Sequence, residues 1–138
     1  MRPAILARMP KHALVVSSLL TLLLTTIHLA DDIVRGFAPG GFSNLTAVAV
    51  WVVWLYATLV LAERRSGYVI ILIASLLAFG LPLIHMAGTH GMVGPKTAAT
   101  PGAFYFVWTL LATAVIAPVS VALAARGLWS LRRGRPKS

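Results

Sequence analysis

Cysteine is absent from the 138-residue chain, so no disulfide framework, thiolate metal site or cysteine nucleophile can be built from it. Acid is scarce as well: Asp and Glu together number 3, against 12 Lys and Arg. Charged residues of both signs make up only 11% of the chain, where a soluble domain carries about 25%. So few charges could not cover the surface of a water-soluble domain of this size, which argues against soluble enzymes and soluble nucleic-acid binders. What is present is apolar: 59% of the residues belong to the hydrophobic set, the composition of a chain that meets a lipid bilayer.

The net charge of +9 would suggest nucleic acid in a polar chain, but its distribution says otherwise. Four stretches, residues 13–30, 45–62, 67–87 and 103–125, contain no Lys, Arg, Asp or Glu. At about 18 to 23 residues, each is long enough to cross a hydrocarbon core of roughly 30 Å. Lipid offers no hydrogen-bond partner to the backbone, so these stretches are read as helices despite β-branched runs such as Val52-Val53 and Ile70-Ile71. They lack the alternation of a transmembrane β-barrel. The expectation is an all-α integral membrane protein, one up-down-up-down four-helix bundle spanning residues 1–138. Its helices are placed at about 13–34, 44–63, 67–87 and 103–126, with a basic cytoplasmic tail at 127–138.

Arg2, Arg8, Lys11, Arg64, Arg65, Arg126, Arg132, Arg133, Arg135 and Lys137 flank one side of these helices, and only Arg35 and Lys96 the other. The positive-inside rule then puts both termini in the cytoplasm of a plasma membrane, most simply a bacterial inner membrane. The excess charge is a topology signal and a potential contact for anionic lipid, and nucleic acid is not an expected partner. The first stretch is too long for the apolar core of a signal peptide, and cleavage after Ala30 would put His28 where a small residue is needed.

An offset of 62 residues aligns His28 with His90 and Pro39-Gly40-Gly41-Phe42 with Pro101-Gly102-Ala103-Phe104, which raises the question of a duplicated helical hairpin. Ala74 and Ala78 on the third helix, and Ala112, Ala114, Ala117, Ala122 and Ala124 with Ser120 on the fourth, mark positions of close backbone approach in lipid and make the fourth helix the candidate for the interior. Phe37, Phe42, Phe104, Tyr105 and Phe106 are placed as anchors at the outer interface, with Tyr68 and Trp129 at the inner one. Trp51 and Trp54 sit deeper, where an indole N–H requires a partner.

Chemistry is to be sought where polar residues converge. His28, Asp31 and Asp32 share a side of the first helix through i, i+3, i+4 spacing, and His85 lies at a similar depth on the third, with His90 shortly beyond. Imidazole and carboxylate together suit a transition-metal ion such as zinc, iron or copper. Haem between His28 and His85 is a lesser alternative. The competing reading pairs Asp31 with Arg35, leaves Asp32 to water, and satisfies the histidines with neighbouring carbonyls or hydroxyls. If a site exists, His28 and Asp31 face the third helix, the rings of His28 and His85 approach within about 8 Å, and an outward-open polar cleft separates them.

Catalytic motifs are missing: no Gly-x-Ser-x-Gly elbow surrounds Ser43, no His-Glu-x-x-His occurs, and Gly36 to Gly41 lack the Lys-Ser/Thr of a P-loop. The balance leans away from an enzyme. The chain resembles the small multidrug resistance exporters in size and helix count alone. Those carry an acidic residue in the middle of their first helix, where this one has Ser17, Ser18, Thr21, Thr25 and Thr26, which weakens a proton-coupled transport reading. The leading expectation is an accessory or interaction subunit in a homo-oligomer or larger membrane complex. A metal or cofactor site at His28, Asp31, Asp32, His85 and His90 is the second, and a small-solute or proton-handling transporter the third.

Overall fold

A computed structural model describes residues 3–86 and 101–133. It is 87% helical and without strands among the described residues. Helix α1 covers Pro3–Val34, α2 Leu45–Leu59 after a short 3-10 turn at Phe42–Asn44, α3 Arg65–Met86 and α4 Ala103–Arg133. Three helices have a stretch long and apolar enough to cross a membrane: Lys11–Val34, Arg65–His85 and Ala103–Arg133. Among the expected helices, α2 is the exception. Its 15 residues span roughly 22 Å, because Val60 to Arg64 form a turn whose amides bond back to Tyr56, Ala57 and Leu61.

Two helices run further than their apolar stretches. Helix α1 already exists at Pro3, where proline costs nothing in a first turn. Helix α4 continues through residues 127–133, expected as tail, because Leu128, Leu131, Arg132 and Arg133 are good helix formers and the two arginines oppose the negative end of the helix dipole.

Cross-contacts give the directions of the helices. Along α1, residues 11 and 18 meet Glu63 and Thr58 of the α2 end in descending order. Residues 21, 28 and 35 likewise meet Ser120, Thr109 and Pro101. Helices α2 and α4 thus run opposite to α1, while α3 runs parallel to it, since Leu14 and Tyr68 line one cavity near the starts of the two helices and His28 meets His85 near their ends. Helix α4 packs on both α1 and α3, and α2 is peripheral.

The interior is small and polar. Along α1 the buried positions are Leu14, Ser17, Ser18, Thr21, Leu24, Thr25, His28 and Asp32, a stripe at alternating spacings of three and four. Their neighbours Val16, Leu20 and Leu23 point outward, 55%, 41% and 52% exposed. Ala74, Ala78, Ala117, Ala124 and Ser120 are buried as expected and let the helices approach, whereas Ala112 and Ala114 are half-buried and Ala122 is exposed, off the stripe that α4 turns inward. Most hydroxyls are satisfied by a carbonyl three or four residues back, as in Thr21 to Ser17, Thr25 to Thr21, and Thr113 to Thr109. Between helices, Ser18 and Thr58 share a 2.8 Å bond, and the Trp54 indole donates to Ser18 Oγ at 2.9 Å.

At the two turns that the 62-residue offset aligns, the local structures differ: Gly102 is left-handed at φ 80 and stands directly before α4, whereas Gly40 is not left-handed and precedes the 3-10 turn. His90, which the offset aligns with His28, lies outside the described residues.

The Trp54–Ser18 bond carries a measurable coupling. A double-mutant cycle of Trp54→Phe and Ser18→Ala, read by unfolding in mixed micelles, should return about 0.6 to 1.7 kcal/mol.

Candidate metal centre

The C-terminal end of α1 is held by its backbone. Gly36 adopts φ 73, and the amides of Gly36 and Phe37 reach back to the carbonyls of Ile33 and Asp32 at 3.0 and 2.8 Å. This is a Schellman cap, and it stops the helix at Val34, just beyond Asp32. Because His28 and Asp32 are four apart, they share one face of the last two turns, which meets the end of α3 and the start of α4.

At that junction His28, Asp32 and His85 come together, 2%, 7% and 6% exposed. Each offers one ligand atom lying within 4.8 Å of the other two. Asp32 Oδ2 is 3.7 Å from His28 Nε2 and 3.8 Å from His85 Nε2, too far for hydrogen bonds. The two rings meet edge to face with centroids 4.9 Å apart. Buried His28 Nε2, Asp32 Oδ1 and His85 Nδ1 have no hydrogen-bond partner. An unsatisfied buried polar atom costs on the order of 1–3 kcal/mol, so three together form a costly arrangement for the protein alone.

Thr109 sets the His28 tautomer. Its hydroxyl donates to the Phe106 carbonyl at 2.9 Å, so toward His28 Nδ1, 3.3 Å away, it acts as acceptor. In the neutral ring the proton then sits on Nδ1, leaving a bare Nε2 lone pair aimed at the Asp32 carboxylate. Two electron-rich groups face each other across 3.7 Å, an arrangement that a cation between them would convert from repulsive to attractive. Thr109 is the outer-sphere acceptor usual for a metal-bound imidazole.

The cluster is closed rather than an outward-open cleft. Phe106, 0% exposed, lies 4.9 Å from the His28 ring and 5.9 Å from the His85 ring, and Phe37 from the Schellman cap covers Phe106 at 6.1 Å. Arg35 sits 5.4 Å above the Phe106 ring, pairs with Asp31 at 2.8 Å and bonds the Pro101 carbonyl at 3.3 Å. Gly102 accommodates this strap, since a Cβ there would stand 3.1 Å from Arg35 Nη2. One guanidinium thereby ties the end of α1 to the start of α4.

Sequence-predicted site residues divide accordingly. His28 and His85 meet well inside the expected 8 Å. Asp31 does not face α3 with them; it belongs to Arg35, and Asp32 takes the inward position, because one residue turns the helix about 100°. His90 lies outside the described residues. Haem between the histidines is ruled out by the 4.9 Å ring contact, which leaves no slot for a macrocycle. Phe106, expected as an interface anchor, is instead the floor of the cluster, while Phe104 and Tyr105 are exposed. Phe106 and Thr109 were findable: they begin the stripe 106, 109, 110, 113, 117, 120, 124 that α4 buries.

The unsatisfied atoms make a sign prediction. In chelator-treated protein, Asp32→Asn supplies an N–H to a bare imidazole nitrogen and should raise stability by about 1–3 kcal/mol, read as a higher unfolding midpoint. The same variant should lose any stabilisation by added metal.

No family model matches this chain, and no curated protein or solved structure is significantly similar to it, so the reading of function rests on the cluster itself.

Proposed function

We propose that this chain is an integral membrane protein that binds one divalent transition-metal ion through His28, Asp32 and His85. The membrane part rests on the inverted distribution of polarity: hydroxyls, imidazoles and a carboxylate are buried while Leu and Val face out. In lipid that exterior is matched to its solvent. The three long helices span the bilayer, and α2 with its flanking turns completes an up-down-up-down bundle. The basic end faces the cytoplasm and the His/Asp end the opposite side.

The observation that carries the metal reading is the convergence of one ligand atom from each of three buried residues, every one of which also keeps a buried polar atom without a hydrogen-bond partner. Two neutral imidazoles and a carboxylate suit Zn(II) or Fe(II), the donor set of sites that keep an open coordination position. Around a tetrahedral ion with bonds of roughly 2.0–2.2 Å, ligand atoms stand about 3.3–3.6 Å apart. Two edges, at 3.7 and 3.8 Å, need only a slight contraction, and the set as a whole, within 4.8 Å, must draw in by about 1 Å at its longest edge. Such an ion would supply Lewis acidity, while Thr109 orients His28 and Phe106 limits water. We place this reading ahead of the accessory-subunit expectation because convergent ligand atoms stand behind it.

Protein purified in detergent, stripped with chelator and titrated with Co(II) should take up one ion per chain with the visible bands of a tetrahedral nitrogen–oxygen site. His28→Ala and His85→Ala should each weaken uptake by about 100-fold or more, and Thr109→Val by about 10–100-fold. Affinity should fall as the pH drops, since protons compete for the same lone pairs. Wild-type protein without stoichiometric uptake, or with uptake indifferent to both histidines, would refute the reading. The orientation has its own check: a reporter fused at Ser138 should be active only on the cytoplasmic side.

A further inference from the structure

The opposite end of the bundle holds a second arrangement whose chemistry points to a ligand. The whole sequence has 3 acidic residues. Asp31 pairs with Arg35, Asp32 lies in the histidine cluster, and Glu63 pairs with Lys11 at 3.0 Å. No side-chain carboxylate remains for Arg64, Arg65 and Arg132. Yet these three arginines line one cavity of about 670 Å³ between the α2–α3 turn and the last turns of α4. Val69, Leu128 and Leu131 form its remaining wall, and Ser130 at its edge is turned back onto the Gly127 carbonyl at 2.8 Å.

We infer that this cavity binds the phosphate headgroup of an anionic phospholipid, with the arginines on the phosphate and the acyl chains along Val69, Leu128 and Leu131. Guanidinium groups recognise phosphate oxygens through paired N–H donors, and basic pockets between helices at the cytoplasmic face are where such headgroups sit. The depth agrees. Trp129, 60% exposed with Arg133 stacked 4.3 Å from its ring, is an interfacial anchor one turn from Arg132. A free phosphate would use the arginines but not the half-exposed apolar wall, which favours the lipid. Lys11 leaves Glu63 electrically matched, so this carboxylate at the cavity does not repel the phosphate. The inference depends on the membrane reading and is independent of the metal centre.

The test is native mass spectrometry of the full chain in detergent with phosphatidylglycerol or phosphatidylcholine of identical acyl chains. Phosphatidylglycerol should be retained preferentially, and Arg64→Ala/Arg65→Ala/Arg132→Ala should cut its retention at least about tenfold. Arg132→Gln alone, which leaves the α2–α3 turn intact, should cut it about threefold. Removing equal charge elsewhere, with Arg2→Ala/Arg8→Ala/Arg135→Ala, should leave it unchanged. Equal retention of phosphatidylcholine, an equal loss in the charge control, or an unchanged Arg132→Gln variant overturns the site. Displacement by inorganic phosphate at matched concentration would show a phosphate site without lipid and also overturn it. Recovery of the wild-type chain in the soluble fraction after a carbonate wash defeats the membrane reading, an outcome distinguishable from failed lipid selectivity.

Discussion

A polar group taken out of water must find its partner inside the protein, and this requirement organises the whole bundle. Along most of its length the partners are local. A serine or threonine hydroxyl reaches the carbonyl one turn back, so a helix can turn a polar stripe inward without needing water. Because those side chains are small, the helices approach closely, and a few bonds such as Ser18 to Thr58 fix which helix meets which. Most of the large apolar side chains are left for the outside, with Phe106, Ile71, Leu110 and Trp54 among those kept in. The arrangement is consistent only where the outside is itself apolar.

The same requirement fails at one end. An imidazole or a carboxylate has too many donor and acceptor positions for its own helix to satisfy, and at the junction of α1, α3 and α4 no neighbouring hydroxyl beyond Thr109 supplies the remainder. Elsewhere among the described residues the Ser75 hydroxyl alone is buried without a partner; here His28, Asp32 and His85 each keep one such atom. Structural polar networks end in satisfied groups, whereas a binding site keeps its valences for a guest. On this ground we propose the cluster as a site rather than a second piece of scaffold.

How much of this could be read in the sequence depended on the range of the interaction involved. The apolar stretches, the helix type and the shared depth of His28 and His85 follow from length and rise per residue, which are local properties. The ends of α1, α2 and α4 did not follow hydropathy. Capping, helix propensity and turn bonds decide them, and none of these tracks apolarity. The choice between Asp31 and Asp32 needed the phase of the helix to about one residue. That phase was available in the stripe Leu14, Ser18, Thr21, Thr25, His28, Asp32, hidden because its members are polar and a search for an apolar face passes over them. Phe106 was misread for the opposite reason: three consecutive aromatics look like an interface belt, and only the packing of α4 shows that the third of them turns inward.

Arg35 follows from these constraints as well. A basic residue just past the end of α1 and a left-handed glycine after it form an ordinary helix terminus. Here, however, the cap also aims Phe37 over Phe106, and Asp31 holds the guanidinium across the start of α4, where Gly102 leaves it room. Terminating the helix and covering the cluster are thus one structural act. The acids are apportioned to match: Asp31 pairs with the arginine at the lid, so Asp32 is left to face the two imidazoles. Exchanging the roles of these adjacent carboxylates would put the ion pair inside and the ligand outside, and the closed centre would not exist.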